Sequence, residues 1–264
     1  MFSSAILVSW GALALLGSWF PLEPNEMLLS QILLPPTGHD WLGFDDYGRS
    51  IADRLLMGAR TSLVVAFAVV TVTAGFGTAV GILSAWLGGW WDLLIVRLID
   101  VFLAFPGMLL AIALAGLLGP GVDNVVVALA AVGWVSFARL ARAQTLSVKE
   151  REHVQAAQSL GVSSWVTLYR HVLPLISAPL IIEATFGIAG VVVAEAGLSF
   201  LGLGVQPPAP SWGGMIRDGT RYMLVAPHMV IAPGIAMMLV VLAANLAGDW
   251  MRDKLDVRGL SGTN

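Results

Sequence analysis

Runs of about twenty apolar residues, repeated along the chain and separated by polar segments, limit this sequence more than any other feature. A helix needs roughly 20 such residues to cross a ~30 Å hydrocarbon layer. The stretches Phe2 to Phe20, Ser62 to Leu87, Leu93 to Leu118, Val125 to Ala141, Leu173 to Leu203 and His228 to Trp250 approach or exceed that length. Lipid offers nothing to exposed backbone amides and carbonyls, so spans of this length are helical. A β-barrel needs many short alternating segments instead, and none occurs. Hydrophobic residues make up 57% of the chain and charged residues 12%, against about a quarter charged in a soluble domain. The expected class is an all-α membrane protein with six transmembrane helices.

These runs divide the chain into an N-terminal transmembrane helix (1–21), an extracytoplasmic segment (22–60), a membrane-spanning core (61–250) carrying a polar loop at 142–172, and a tail (251–264). The first run lacks a basic leader and a small-residue cleavage site, so it reads as an uncleaved helix. Pro106 is expected to bend the third span. Arg139, Arg142, Lys149, Arg151, Arg170, Arg252, Lys254 and Arg258 outnumber Arg49, Arg54, Arg60, Arg217 and Arg221 across the two sides. This bias makes the polar loop, the tail and both termini cytoplasmic. Tryptophans such as Trp10, Trp19, Trp90, Trp91, Trp212 and Trp250 either anchor spans at the interface or pack between helices.

The polar loop carries the densest local pattern. Glu150 to Leu160 contains good helix formers, with Val154, Ala157 and Leu160 spaced to share a face. Gly161 suits the left-handed residue that closes a helix, and Leu173 and Pro174 return the chain to the membrane. A short surface helix with small alanines suits docking into a partner's groove; an ordinary amphipathic connector has the same spacing.

Glu183 and Glu195 fall inside apolar runs, where a carboxylate is costly and faces protein or water. Either lines a pathway or makes a buried structural hydrogen bond, and Glu195 is read as structural or gating. Arg97 and Asp100 are spaced to pair on one helix face. Gly77 and Gly81 form a small-xxx-small packing pair. Gly43, Gly48, Asp45, Asp46 and Arg49 are expected to build a structured cap before the second span. Neither lysine, Lys149 nor Lys254, follows a glycine, so no phosphate-binding loop exists. The four histidines lack the spacing of a zinc hydrolase, and there are no cysteines. His153 and His171 therefore read as loop residues. The readings left open are a transporter subunit, a channel, or a membrane-embedded enzyme using Glu183 or Glu195.

Ala156, Ala157, Gly161 and then Leu173 and Pro174 resemble the EAA loop, the ATPase-docking signature of ABC importer permeases. Gln155 stands where that family usually has an acidic residue; Glu152, His153 and Val154 stand where its peptide branch commonly has Glu, Tyr and Val. The segments His39 to Arg60, Glu195 to Gly213 and Asn245 to Asp256 resemble the same dipeptide, oligopeptide and nickel branch, in the same order. The chain looks like the C-type subunit of a heterodimeric importer. The resemblance implies a type I permease fold and a cell inner membrane location. It assigns Glu152, Val154, Gln155, Ala156, Ala157, Leu160, Gly161, Leu173 and Pro174 to coupling. Glu183 and Glu195 are pathway or gating candidates through their place in apolar runs. The implied partners are a homologous permease, two cytoplasmic ATPases that bind the ATP and Mg, and an external binding protein, with no cofactor in this chain and no nucleic acid. A dipeptide or oligopeptide is the expected substrate; nickel or a metal chelate is the alternative.

Overall fold

The computed structural model describes residues 6, 10–12, 22–38 and 40–260, with side chains through Leu255. The expected first span, Trp19, His39 and the last four residues lie largely or wholly outside that set. Among the described residues the architecture is helical: α1 (Ile51–Leu87), α2 (Gly89–Leu103), α3 (Gly107–Leu118), α4 (Val122–Lys149), α5 (Glu152–Ser159), α6 (Ser164–Thr167), α7 (Leu173–Phe200), α8 (Trp212–Thr220) and α9 (His228–Leu260). Four of the helical stretches are long and apolar enough to span a membrane, or five if α2 and α3 count as one broken span.

Several boundaries differ from the sequence reading: α4 runs on to Lys149, into the segment read as polar loop, and α9 to Leu260, and two others differ for identifiable reasons. Helix α1 starts at Ile51, inside the segment read as loop. Ser50 caps it, its Oγ accepting the Asp53 amide at 3.3 Å, and Asp53 sits in the first turn, where the helix dipole favours an acid. The third span is broken rather than bent. Helix α2 stops at Leu103, and α3 resumes at Gly107 at an angle of 85°, because Pro106 disfavours helical geometry at the residue before it.

The chain forms two compact units. The first comprises Met1–Val69, Ala111–Leu129 and Ile188–Ala247. Its core contains Trp10, Ile51, Ala66, Val192, Trp212 and Val240. Trp10 Nε1 donates to the Ala59 carbonyl at 3.2 Å and Trp212 Nε1 to that of Leu55 at 3.0 Å. These two indoles are therefore packing residues, whereas Trp90, Trp91 and Trp250 are exposed. The expected cap is present: the Asp45 carboxylate accepts the Tyr47 and Arg49 amides, each at 2.9 Å, and Arg49 Nε at 2.7 Å. Arg54 Nε stands 3.4 Å from the same carboxylate.

The second unit comprises Val70–Leu110, Ala130–Gly187 and Gly248–Asn264. Trp134 is its pivot, with the rings of Phe76 and Phe102 edge-on, each at 5.5 Å. Gly77 and Gly81 let α1 approach α4 closely. A Cβ on either would overlap the α4 backbone, at Trp134 and Ala138 respectively. The small-residue packing expected of this pair is thus observed.

Candidate coupling site

Helix α5 lies in the second unit. It begins after Arg151, whose extended backbone (ψ 140°) turns the chain out of α4. Its C-terminus is closed by two bonds. The Gly161 amide donates to the Gln158 carbonyl at 3.0 Å and the Val162 amide to that of Ala157 at 3.1 Å. With Gly161 at φ +78°, this is a Schellman motif, and the left-handed residue is the glycine that the sequence marked.

The helix presents two different faces. Val154 and Ala157 are buried, while Glu152, His153, Gln155, Ala156 and Gln158 are exposed. Leu160 departs from expectation: it is 84% exposed, although its amide still donates to the Ala156 carbonyl at 3.0 Å; at about 100° per residue it stands beside the exposed His153 rather than over Val154. The surface offered outward is therefore Gln155, Ala156 and Leu160 rather than a Val154–Ala157–Leu160 stripe. Trp165 and Tyr169, 72% and 73% exposed, extend the apolar surface of the loop and were not marked by the sequence reading. Two exposed aromatics flanking a polar loop were the signal that could have found them. Gln155, standing in the acidic position of the resembled motif, donates through Nε2 to Glu150 Oε2 at 3.3 Å.

The loop rejoins the membrane span through α6 and a π turn, Leu168–Val172. Pro174 has no amide to give the Arg170 carbonyl, and its ring crowds that carbonyl. A wider turn before it accommodates both effects, and the Leu173 amide bonds back to the Leu168 carbonyl. Leu173 is half-buried and Pro174 exposed. The His153 and His171 rings lie 6.3 Å apart within this loop.

The two carboxylates fall in different units. Glu195, 1% exposed, is inside the first. Ser199 Oγ donates to its Oε1 at 2.7 Å and Ser62 Oγ to its Oε2 at 3.4 Å, while Ser199 Oγ accepts the Val205 amide at 3.3 Å. It thus ties α7 to α1 and to the loop after α7. Glu183, in the second unit, is half-buried and has no hydrogen-bond partner among the described residues.

The profile of the family described as binding-protein-dependent transport system inner membrane component matches residues 77–258, which include this whole loop. The chain belongs to that family. It is 43% identical over 227 residues to a dipeptide transport system permease of Alkalihalophilus pseudofirmus, covering 86% of this chain and 75% of that one. A glutathione transport system permease of Pectobacterium atrosepticum is 44% identical over 221 residues, covering 84% and 73%. A chain of the MetNI methionine ABC transporter in an inward-facing form shares the fold at a TM-score of 0.63 and 17% identity, over 75% of this chain and 95% of that chain. This permease is thus a multi-pass membrane component of a binding-protein-dependent ABC importer, a transporter subunit rather than an enzyme.

Proposed function

We propose that this permease moves short peptides, delivered by an external binding protein, through a pathway formed with a homologous second permease. Two cytoplasmic ATPases bind the ATP and Mg and dock on α5. The observation that carries this reading is the Schellman-closed surface helix, with Ala156 and Leu160 outward, in a chain similar to dipeptide and glutathione permeases. The relatives favour peptide over nickel or a metal chelate. Six spans, with both termini and the 142–172 loop in the cytoplasm, follow from the hydropathy and charge pattern.

Docking alone moves nothing. The ATPases shift the permease only if α5 meets them differently in the two states. A short helix rigidly closed at its end suits that requirement, because it passes on displacement rather than absorbing it. The test is uptake of labelled dialanine by membranes carrying the complete importer, competed with glutathione or nickel. Competition by glutathione and none by nickel is expected; nickel uptake without peptide uptake overturns the substrate reading. Orientation is checked with an impermeant thiol reagent on intact cells. Ser147→Cys is expected to be protected and Ala209→Cys labelled, since both sites are exposed; the reverse pattern inverts the topology.

A further inference from the structure

The end of α4 that feeds α5 is held by an ion-pair cluster that lies outside α5 itself. Arg142 Nε donates to Asp92 Oδ1 at 2.7 Å and its Nη2 to Oδ2 at 2.6 Å, a two-pronged pair. Ser84 Oγ donates to the same Oδ1 at 2.6 Å. One helical stretch further on, Lys149, the last residue of α4, donates to the Ala85 carbonyl at 3.1 Å. Ser84 and Ala85 are fully buried in the last turn of α1, and Asp92 stands in the first turn of α2. The ends of three helices therefore meet on two cationic side chains of α4.

The chemistry favours rigidity. A bidentate guanidinium–carboxylate pair fixes orientation as well as distance. The two side chains are 28% and 20% exposed, so water screens them less than an open surface pair. Asp92 also sits where the α2 dipole favours an anion. Upstream, Gly77 and Gly81 seat α1 directly on the α4 backbone, so α1 and α4 are already in contact where the cluster begins. Lys149 is separated from Glu152, the first residue of α5, by only Glu150 and Arg151. A displacement of α5 therefore reaches the cluster before any other part of α4.

We propose that Asp92 and Arg142, with Ser84 and Lys149, form a transmission clamp that makes the ends of α1, α2 and α4 move as one body with α5. Asp92 and Arg142 are positioning residues for coupling and touch neither substrate nor nucleotide. The inference rests on α5 being the coupling helix.

The experiment uses the complete importer in proteoliposomes with labelled dialanine, and reads uptake per ATP hydrolysed alongside the amount of ATPase bound. Asp92→Asn is expected to keep the ATPase bound and to lower uptake per ATP by about five- to tenfold, the low end of a typical coupling free energy. The double variant Asp92→Asn/Arg142→Ala is expected to lose no more than Asp92→Asn, because one interaction is lost in both. Wild-type uptake per ATP in Asp92→Asn, or losses that multiply in the double variant, overturns the clamp. If Asp92→Asn does not accumulate, Arg142→Lys, which keeps the charge and loses the fork, is read the same way. A second readout is independent of substrate: spin labels at Leu94 and Gln158 are expected to keep one distance between nucleotide-free and ATP-bound wild type and to show a broadened one in Asp92→Asn. Identical distributions in the two proteins also overturn the clamp. Gly161→Val in the same assay separates the two readings. If it leaves uptake per ATP intact, the α5 assignment fails, whereas the clamp is judged on Asp92 and Arg142 alone.

Discussion

Replacing Gly161 with valine isolates one physical effect. A Cβ at this position meets nothing within 4 Å, so the substitution carries no steric penalty from neighbouring helices. Its cost is the φ of +78°, which a β-branched residue resists by about 1–2 kcal/mol. The alternative is to abandon that conformation and give up the two closing bonds, from the Gly161 and Val162 amides, at about 0.5–1.5 kcal/mol each. The two routes cost about the same, so a large share of molecules opens the last turn and displaces Leu160 and Ala156. A 1–2 kcal/mol penalty corresponds to a factor of about 5–30 in the population of the closed helix end, and ATPase docking is expected to weaken within that factor. Asparagine, which tolerates the left-handed region, is expected to stay near wild type, with alanine between. The assay is peptide uptake together with ATPase pull-down from the same membranes at matched permease abundance. Valine, alanine and asparagine variants of equal activity would refute the reasoning, since only a conformational cost ranks them.

Two further outcomes follow from the buried and half-buried acids. Glu195→Gln is expected to retain transport, because the amide keeps the shape and its oxygen still accepts from Ser199 Oγ. Glu195→Ala strands the Ser62 and Ser199 hydroxyls at about 1–3 kcal/mol each. It is expected to lower the unfolding temperature in detergent; a pathway carboxylate would instead lose transport in Gln and Ala alike. Asp46 lies in the cap before α1. Burial, and then the charge of Asp45, raise its carboxyl above the usual value of 3.8, opposed by Arg49, with Asp218 adding to the rise. A folded-state pKa raised in this way favours the cap below the unfolded value and loses that contribution as pH rises through the folded one. Amide exchange over residues 43–50 is therefore expected to slow as pH falls through that window once the intrinsic rate is removed, and Asp46→Asn is expected to abolish the dependence. A variant with the wild-type profile would show that another group titrates.

Much of the fold was legible because membrane spans follow from one-dimensional composition. The helices, the small-residue contact of Gly77 and Gly81, and the closing role of Gly161 all rest on patterns within a few residues. The start of α1 was legible in principle, since Ser50 and Asp53 form a capping signal. Asp53, Arg54 and Arg60 made the segment look like loop, although Arg54 is buried against Asp45. The Asp92–Arg142 pair was not legible. Its members are 50 residues apart, and a charge at the end of one span does not name its partner at the end of another. The hydrogen bonds of Glu195 to Ser62 and Ser199 were half legible. Ser199 is one turn along the same helix, whereas Ser62 lies 133 residues away.

The misplacement of Leu160 follows from the helical period itself. Successive residues of an α-helix are rotated by about 100°, so Ala156 and Ala157 cannot share a face. Val154 at three residues before Ala157 puts both inward, as found. Six residues after Val154, Leu160 stands about 120° around the helix from it, at the edge of the buried face. Its amide keeps the helical bond to the Ala156 carbonyl at 3.0 Å, so the period alone carries it out of the buried face. Leu160 therefore falls within about 20° of His153, which is also exposed, and a substitution at Gly161 that lengthened the helix would redirect the chain after Leu160 while leaving that side chain where it is.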